Sequence, residues 1–239
     1  AFELAYLNPI IFYRAIEQQN GSSDNVLLGL DFKWNALKGI SFYGQFILDE
    51  LVIKNLTAGN GWWANKFAVQ GGLKYIDAFG ISNLDLQGEI NIVRPYTYSH
   101  GTEYGDYTSY RQPIAHPLGA NFNEIVGILR YQPLPRLQLK GKLMMVQAGR
   151  DTAGVNWGGD ILKSNIIRQQ DFGNTIGQGI KNDLLFGTFT ATWMLKHNVF
   201  LDVNQVIRKS KSPVAYYHNN TSITSVALRW NIPQRFYEY

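Results

Sequence analysis

From Leu84 to Val93 the chain reads Leu-Asp-Leu-Gln-Gly-Glu-Ile-Asn-Ile-Val. Leu84, Leu86, Ile90 and Ile92 fall on one parity with Gly88, while Asp85, Gln87, Glu89 and Asn91 fall on the other. Successive side chains of a strand point to opposite faces, so a period of two predicts a strand with one apolar and one polar face. A strand of a soluble sandwich shows the same pattern. The constraint comes from its repetition and from the spacing of the repeats.

Similar stretches run over Val26–Trp34, Ile40–Glu50, Phe67–Asp77, Phe122–Tyr131, Leu137–Val146, Leu184–Leu195, Val199–Arg208 and Thr221–Ile232. An irregular first strand is predicted over Phe2–Glu17, interrupted at Asn8-Pro9 because proline suits a bulge or an edge. That makes about ten strands, joined by connections that are alternately short and long. Short turns on one side and long loops on the other are the layout of outer-membrane barrels, whereas Greek-key sandwiches do not alternate so regularly. The expected fold is therefore all-β: one domain over residues 1–239, a transmembrane antiparallel up-and-down β-barrel.

Composition agrees with that class and removes others. Charged residues are 17% of the chain and aromatics 14%, which suits a surface that is partly not in water. The longest apolar-like run, Leu184–Leu195, holds three threonines and falls short of the roughly 20 residues of a helical span. Barrel strands need only about 9–11 residues each, half of them polar, so a mean hydropathy of −0.18 carries no information here. The net charge of +4 is scattered, unlike the dense Lys/Arg patch of a nucleic-acid binder. Cysteine is absent, which excludes disulfides and thiolate metal sites.

An aromatic residue recurs near the lower end of each strand that descends from a long loop to a short turn. These are Trp34, Tyr75, Tyr131, Trp193 and, on the last strand, Trp230, all on the apolar parity. Amphipathic rings at one level of a lipid-facing surface form an interfacial girdle. Lys33, Lys74, Lys140, Lys142 and Arg229 all fall on the polar parity. On the lipid face at mid-membrane each would cost roughly 2–4 kcal/mol. Gly44, Gly71, Gly88, Gly127, Gly141 and Gly187 sit mid-strand on the apolar face, where close aromatic packing across strands is one explanation.

The segments Arg94-Pro-Tyr-Thr-Tyr-Ser-His100 and Tyr110-Arg-Gln-Pro-Ile-Ala-His-Pro-Leu-Gly-Ala-Asn121, with Leu7–Arg14 and Asn156-Trp-Gly-Gly-Asp160, resemble the capsule-assembly Wzi family. The likeness is to its Bacteroidota, gliding-associated, RemB-like members. It implies a bacterial outer-membrane barrel of about 18 strands, of which this chain is the C-terminal portion. Ten strands is also an even number that closes by itself, so both counts stay open. The resemblance further implies a non-enzymatic protein without cofactors that holds capsular polysaccharide or exopolysaccharide at the surface, with a link to gliding or adhesion. Its expected partners are outer-membrane lipid and lipopolysaccharide, surface polysaccharide and other envelope proteins.

Functional candidates concentrate between Arg94 and Asn121. Tyr96, Tyr98, Tyr104, Tyr107 and Tyr110 supply flat faces with polar tips, and Arg94, Arg111, Gln112, His100 and His116 supply hydrogen-bond donors. Sugars present C–H faces and polar edges, and basic residues suit acidic groups. The other reading is that this loop folds inward and plugs the barrel, its tyrosines packing together. His100 and His116 match no metal-site spacing, and no nucleophile–base set or Gly-x-Ser-x-Gly elbow is present. The run Asp151–Asp160 suggests calcium, though its glycines suit turns. A diffusion channel and a structural subunit of an envelope complex are the rival functions.

Overall fold

The alternating segments fold as their period requires. The computed structural model describes residues 25–102, 105–152 and 154–232. Its strands are β1 (Leu28–Leu37), β2 (Ile40–Glu50), β3 (Lys66–Tyr75), β4 (Leu84–Val93), β5 (Thr108–Ser109), β6 (Gln112–Pro113), β7 (Phe122–Leu134), β8 (Leu137–Arg150), β9 (Ile180–Lys196), β10 (Val199–Lys211) and β11 (Asn219–Trp230). Nine of them make one sheet in the order β1-β2-β3-β4-β7-β8-β9-β10-β11, each antiparallel to its neighbours in the sheet. The pair β5–β6 is a small hairpin inside the β4–β7 connection. The expected strand over Phe2–Glu17 lies outside the described residues. β1 and β11 are the two edges of the nine-stranded sheet, and no pairing joins them among the described residues.

Turns of residues 38–39, 76–83, 135–136 and 197–198 lie at one end of the sheet, and residues 51–65, 94–121, 151–179 and 212–218 at the other. Among the described residues no helix is long and apolar enough to cross a membrane. A five-residue helix, α1 (Ile53–Thr57), sits in the first long connection.

Register aligns the two parities into two faces, because residues paired across antiparallel strands share a face. One apolar row runs Ile90–Ile125–Met145–Leu185, and another joins Trp193 to Leu201 and Leu201 to Leu228. Phe42, Leu73, Leu129, Phe189 and Val203 on this face are all exposed. The aromatic set holds its parity and level. Trp34 pairs with Phe42, Tyr75 with Leu86, Tyr131 with Leu84, Trp193 with Leu137 and Trp230 with Val199, all toward the short turns. At Gly44 the missing side chain makes room for Phe32, whose ring reaches 2.5 Å from where a Cβ would stand. Gly88 and Gly127, paired with each other, have nothing within 4 Å, so ring packing does not explain them.

The opposite face is polar and tied together. Tyr43 donates to Glu89 at 2.6 Å, Gln87 donates to Tyr43 at 2.7 Å, and Asn91 donates to both Glu89 and Glu124, at 3.0 and 2.8 Å. Toward β11, Arg229 donates from Nε and Nη2 to the two oxygens of Asp202, and Thr192 donates to the same carboxylate. Lys74, Gln87, Ile128 and Lys142 form one row of this face.

Several strands run further than their alternation suggests. β8 continues to Arg150 and β9 begins at Ile180, because the ladder needs only backbone groups while Lys181-Asn-Asp183 breaks the apolar parity. β7 continues through Pro133 past a register shift between Tyr131 and Leu134, and the turn falls at residues 135–136.

Candidate functional site

At the long-loop end the polar face stops being polar. Ile47, Ala68, Val93, Phe122, Val146, Ala148 and Leu184 all have the parity of the carboxylates and lysines lower down. They pack with Tyr98, Leu118, Ala120 and Ile161, contributed by the long connections 94–121 and 151–179. Those two connections therefore fold back over the face and cap its end.

The base of the Arg94–Asn121 loop is inside this cap. Tyr96 and Tyr98 are 0% and 2% exposed, at φ of 65° and 72°. Tyr96 donates from Oη to the Asn156 carbonyl at 3.0 Å and meets Trp63 edge-on. Burial pushes its hydroxyl up to about 12, and raises that of Tyr98 as well. The Tyr98 N–H donates to Asp49 Oδ2 at 2.8 Å, and its ring lies 5.9 Å from Tyr107. Arg94 donates to the Trp62 carbonyl and lies over the Phe67 ring, and burial lowers its pKa.

Two histidines clasp the loop to the sheet. His100 Nε2 is 3.1 Å from Asp49 Oδ1, and its backbone N–H donates to Asp106. His116 Nδ1 accepts the Leu118 N–H, which leaves the proton of a neutral ring on Nε2, 3.1 Å from Glu124 Oε2. The two rings thus go to different carboxylates. Among the described residues no group of three or more His, Asp and Glu comes together to hold a metal.

The tip of the loop faces solvent. Tyr110 is 99% exposed, and Tyr110 and Arg111 sit at φ of 49° and 60° on the turn of the β5–β6 hairpin, beside exposed Gln112. Tyr107 borders this tip, its N–H donating to the Tyr98 carbonyl. Tyr104 lies outside the described residues. The expected glycan surface therefore separates into a base of buried Tyr96 and Tyr98 with half-buried Arg94, His100 and His116, and an accessible edge of Tyr107, Tyr110, Arg111 and Gln112. The inward-folding alternative accounts for the base.

The Asp151–Asp160 run is a turn rather than an open oxygen cage. Asp151 Oδ1 accepts the N–H groups of Trp157 and Gly159, and Oδ2 accepts that of Asp160. Gly158 (φ 84°) passes so close to Pro95 and Tyr96 that a Cβ would collide with them. Trp62 and Trp63 pack beneath the loops, with Trp62 4.8 Å from Phe172 and Trp63 between Arg168 and Lys66.

Buried asparagines hold the connections together. Asn121 donates to the carbonyls of Gly149 and Gln178 and accepts the Gly177 N–H, while Asn156 donates to the carbonyls of Lys163 and Ser164. Three connections then meet around a cavity of about 290 Å³ that includes Pro117, Arg150, Asp160, Lys163 and Tyr217. Sequence reasoning missed this set, since its members are far apart in the chain. The apolar residues at polar parity on the strand ends were the available signal for the cap. Comparison of the chain with models of known families, with curated proteins and with solved structures found no match.

Proposed function

We propose that this chain is part of a bacterial outer-membrane β-barrel, closed at its long-loop end by its own folded-in connections. Its exposed loop edge holds surface polysaccharide, without catalysis. The observation that carries the reading is the apolar face. It runs across nine antiparallel strands, is exposed or half-exposed along its length and is edged toward the short turns by Trp34, Tyr75, Tyr131, Trp193 and Trp230. In water, exposed apolar patches seldom exceed a few hundred Å² on a monomer. Against hydrocarbon the same face is at no cost, and the polar face becomes the interior.

A closed barrel would also dispose of the two sheet edges, β1 and β11. An unpaired backbone group in hydrocarbon costs several kcal/mol, so a membrane sheet closes on itself. In the proposed barrel the free edges of β1 and β11 are paired, and both strand counts stay open. On that reading Tyr107, Tyr110, Arg111 and Gln112 point to the cell exterior, where they meet capsule or exopolysaccharide.

Two measurements test the proposal. The protein should insert into outer-membrane lipid vesicles as a heat-modifiable, protease-resistant species, and cells lacking it should lose surface polysaccharide. Failure to insert, or unchanged polysaccharide on the deletion strain, sinks it. A porin-like channel is favoured by one observation: Lys74, Lys140 and Lys142 on the polar face make no ion pair among the described residues, as expected of a watered interior. Steady conductance in a planar bilayer would select the channel, and its absence the capped anchor. Co-purification with other envelope proteins would instead select the structural-subunit reading.

A further inference from the structure

We propose that the cavity at the long-loop end binds a carboxylate-bearing sugar residue, with Arg150 receiving the carboxylate. The inference rests on the polysaccharide-binding reading and names the chemical class it takes. The cavity lies where the end of the β4–β7 connection, the start of the β8–β9 connection and Tyr217 of the β10–β11 connection converge. Its volume of about 290 Å³ is at the small end of ligand pockets, which suits one sugar ring better than a stretch of chain.

The polar groups around it are unequally occupied. Asp151 accepts three backbone N–H groups, has Lys163 Nζ 3.7 Å away and makes no ion pair with Arg150. Arg150 forms no ion pair among the described residues, and its Nε is shielded from solvent with no hydrogen-bond partner. Asp160 spends Oδ1 on the Leu162 N–H, which leaves Oδ2 as an acceptor at the rim. Tyr217 is held by its carbonyl, which accepts from Ser210 Oγ at 2.6 Å, and by the Tyr216 ring 5.1 Å away. Pro113, Pro117 and Leu162 supply apolar wall.

What remains without a protein partner around the cavity, among the described residues, is the Arg150 guanidinium and one Asp160 oxygen, with Tyr217 in the lining. A planar fork matches a carboxylate in bidentate fashion, a carboxylate acceptor matches sugar hydroxyls, and a ring matches the C–H face of a pyranose. A sugar acid has all three. A neutral sugar leaves Arg150 without its counter-charge, and inorganic phosphate meets Asp160 while using neither the ring nor the apolar wall. Acidic sugars occur in capsular chains and in lipopolysaccharide core alike, and the chemistry at Arg150 is common to both.

The test is calorimetry on the full chain in detergent micelles. Its probes are tetragalacturonate, the same oligomer with its carboxyls reduced to alcohols, deacylated lipopolysaccharide core and inorganic phosphate. Tetragalacturonate or the core oligosaccharide should bind, and which of them binds more tightly identifies the source. The reduced oligomer and phosphate should bind at least tenfold more weakly. Arg150→Gln and Tyr217→Ala should each weaken the acidic probe at least tenfold, and Lys54→Gln, on exposed α1, should not. Equal affinity for the acidic and reduced oligomers, undiminished affinity in Arg150→Gln, or no binding of either acidic probe overturns the proposal. The comparison of oligomers needs only the unaltered protein, so it stands even where a variant fails to fold. A protein that inserts into membranes and retains polysaccharide yet ignores the acidic probes refutes the cavity alone.

Discussion

The same parity has two chemistries along these strands. In mid-strand it carries Asp85, Gln87, Glu89 and Asn91, the last three joined into a hydrogen-bonded file with Tyr43 and Glu124. At the long-loop end it carries Val93, Phe122, Val146 and Ala148, which pack under the cap. The backbone does not change between the two regions; only the covering does. Where loops cover the face, burial rewards apolar side chains, and where none do, polar groups satisfy one another and face outward from the backbone. The switch from polar to apolar therefore marks how far the cap reaches down the sheet.

The largest test of that difference is to hollow the capped region. Phe122→Ala removes a side chain that is 0% exposed at the junction of both connections. A loss of about 3–5 kcal/mol is expected by denaturant unfolding, with early protease cleavage in residues 94–121. An unchanged midpoint would mean that the cap is not packed on the sheet.

Next in size is a charge on the other face. On the proposed membrane reading, Ile90→Arg should cost about 2–4 kcal/mol in refolding into lipid bilayers, the penalty of a cation on a lipid face at mid-depth. Lys142→Leu, on the polar face, should cost far less. Equal tolerance at the two sites would collapse the distinction between the faces.

A smaller effect is expected at Tyr96. Its hydroxyl is raised to about 12 by burial, against about 10 in an unfolded chain. The neutral form is thus favoured when folded, so its contribution is complete below pH 10 and is lost as pH rises from about 10 through about 12. Tyr96→Phe should remove that alkaline dependence and cost about 0.5–1.5 kcal/mol at neutral pH, through the hydrogen bond to the Asn156 carbonyl. Tyrosinate absorbance during alkaline titration reads the first effect and thermal unfolding the second.

The smallest stability change belongs to the loop tip. Tyr110→Ala should stay within about 0.5 kcal/mol, because the side chain is 99% exposed, while reducing retention on polysaccharide columns. Stability lost without any change in retention would reverse the assignment of base and tip.

Much of the sheet was legible from alternation. β2 and β4 occupy the residues their pattern marks out, and the aromatic set from Trp34 to Trp230 lies on one face at one end. The start of β9 was not, because Lys181, Asn182 and Asp183 pair by backbone while giving no apolar period. The loop was legible only as a concentration of chemistry. Nothing local says that Tyr96 turns inward and Tyr110 outward, since both take positive φ in Pro- and Gly-rich surroundings.

Strand, face and connection order are local properties, readable wherever side chains alternate along an extended backbone, and the sequence by itself determined them. Whether a connection caps the sheet depends on contacts between distant segments. Asn121 reaches the Gln178 carbonyl and Asn156 holds Tyr96, so the buried base and exposed tip of the loop were decided by the tertiary structure. The cavity at Arg150 is of the same kind, since Pro117, Lys163 and Tyr217 meet only after three connections have folded over the strand ends.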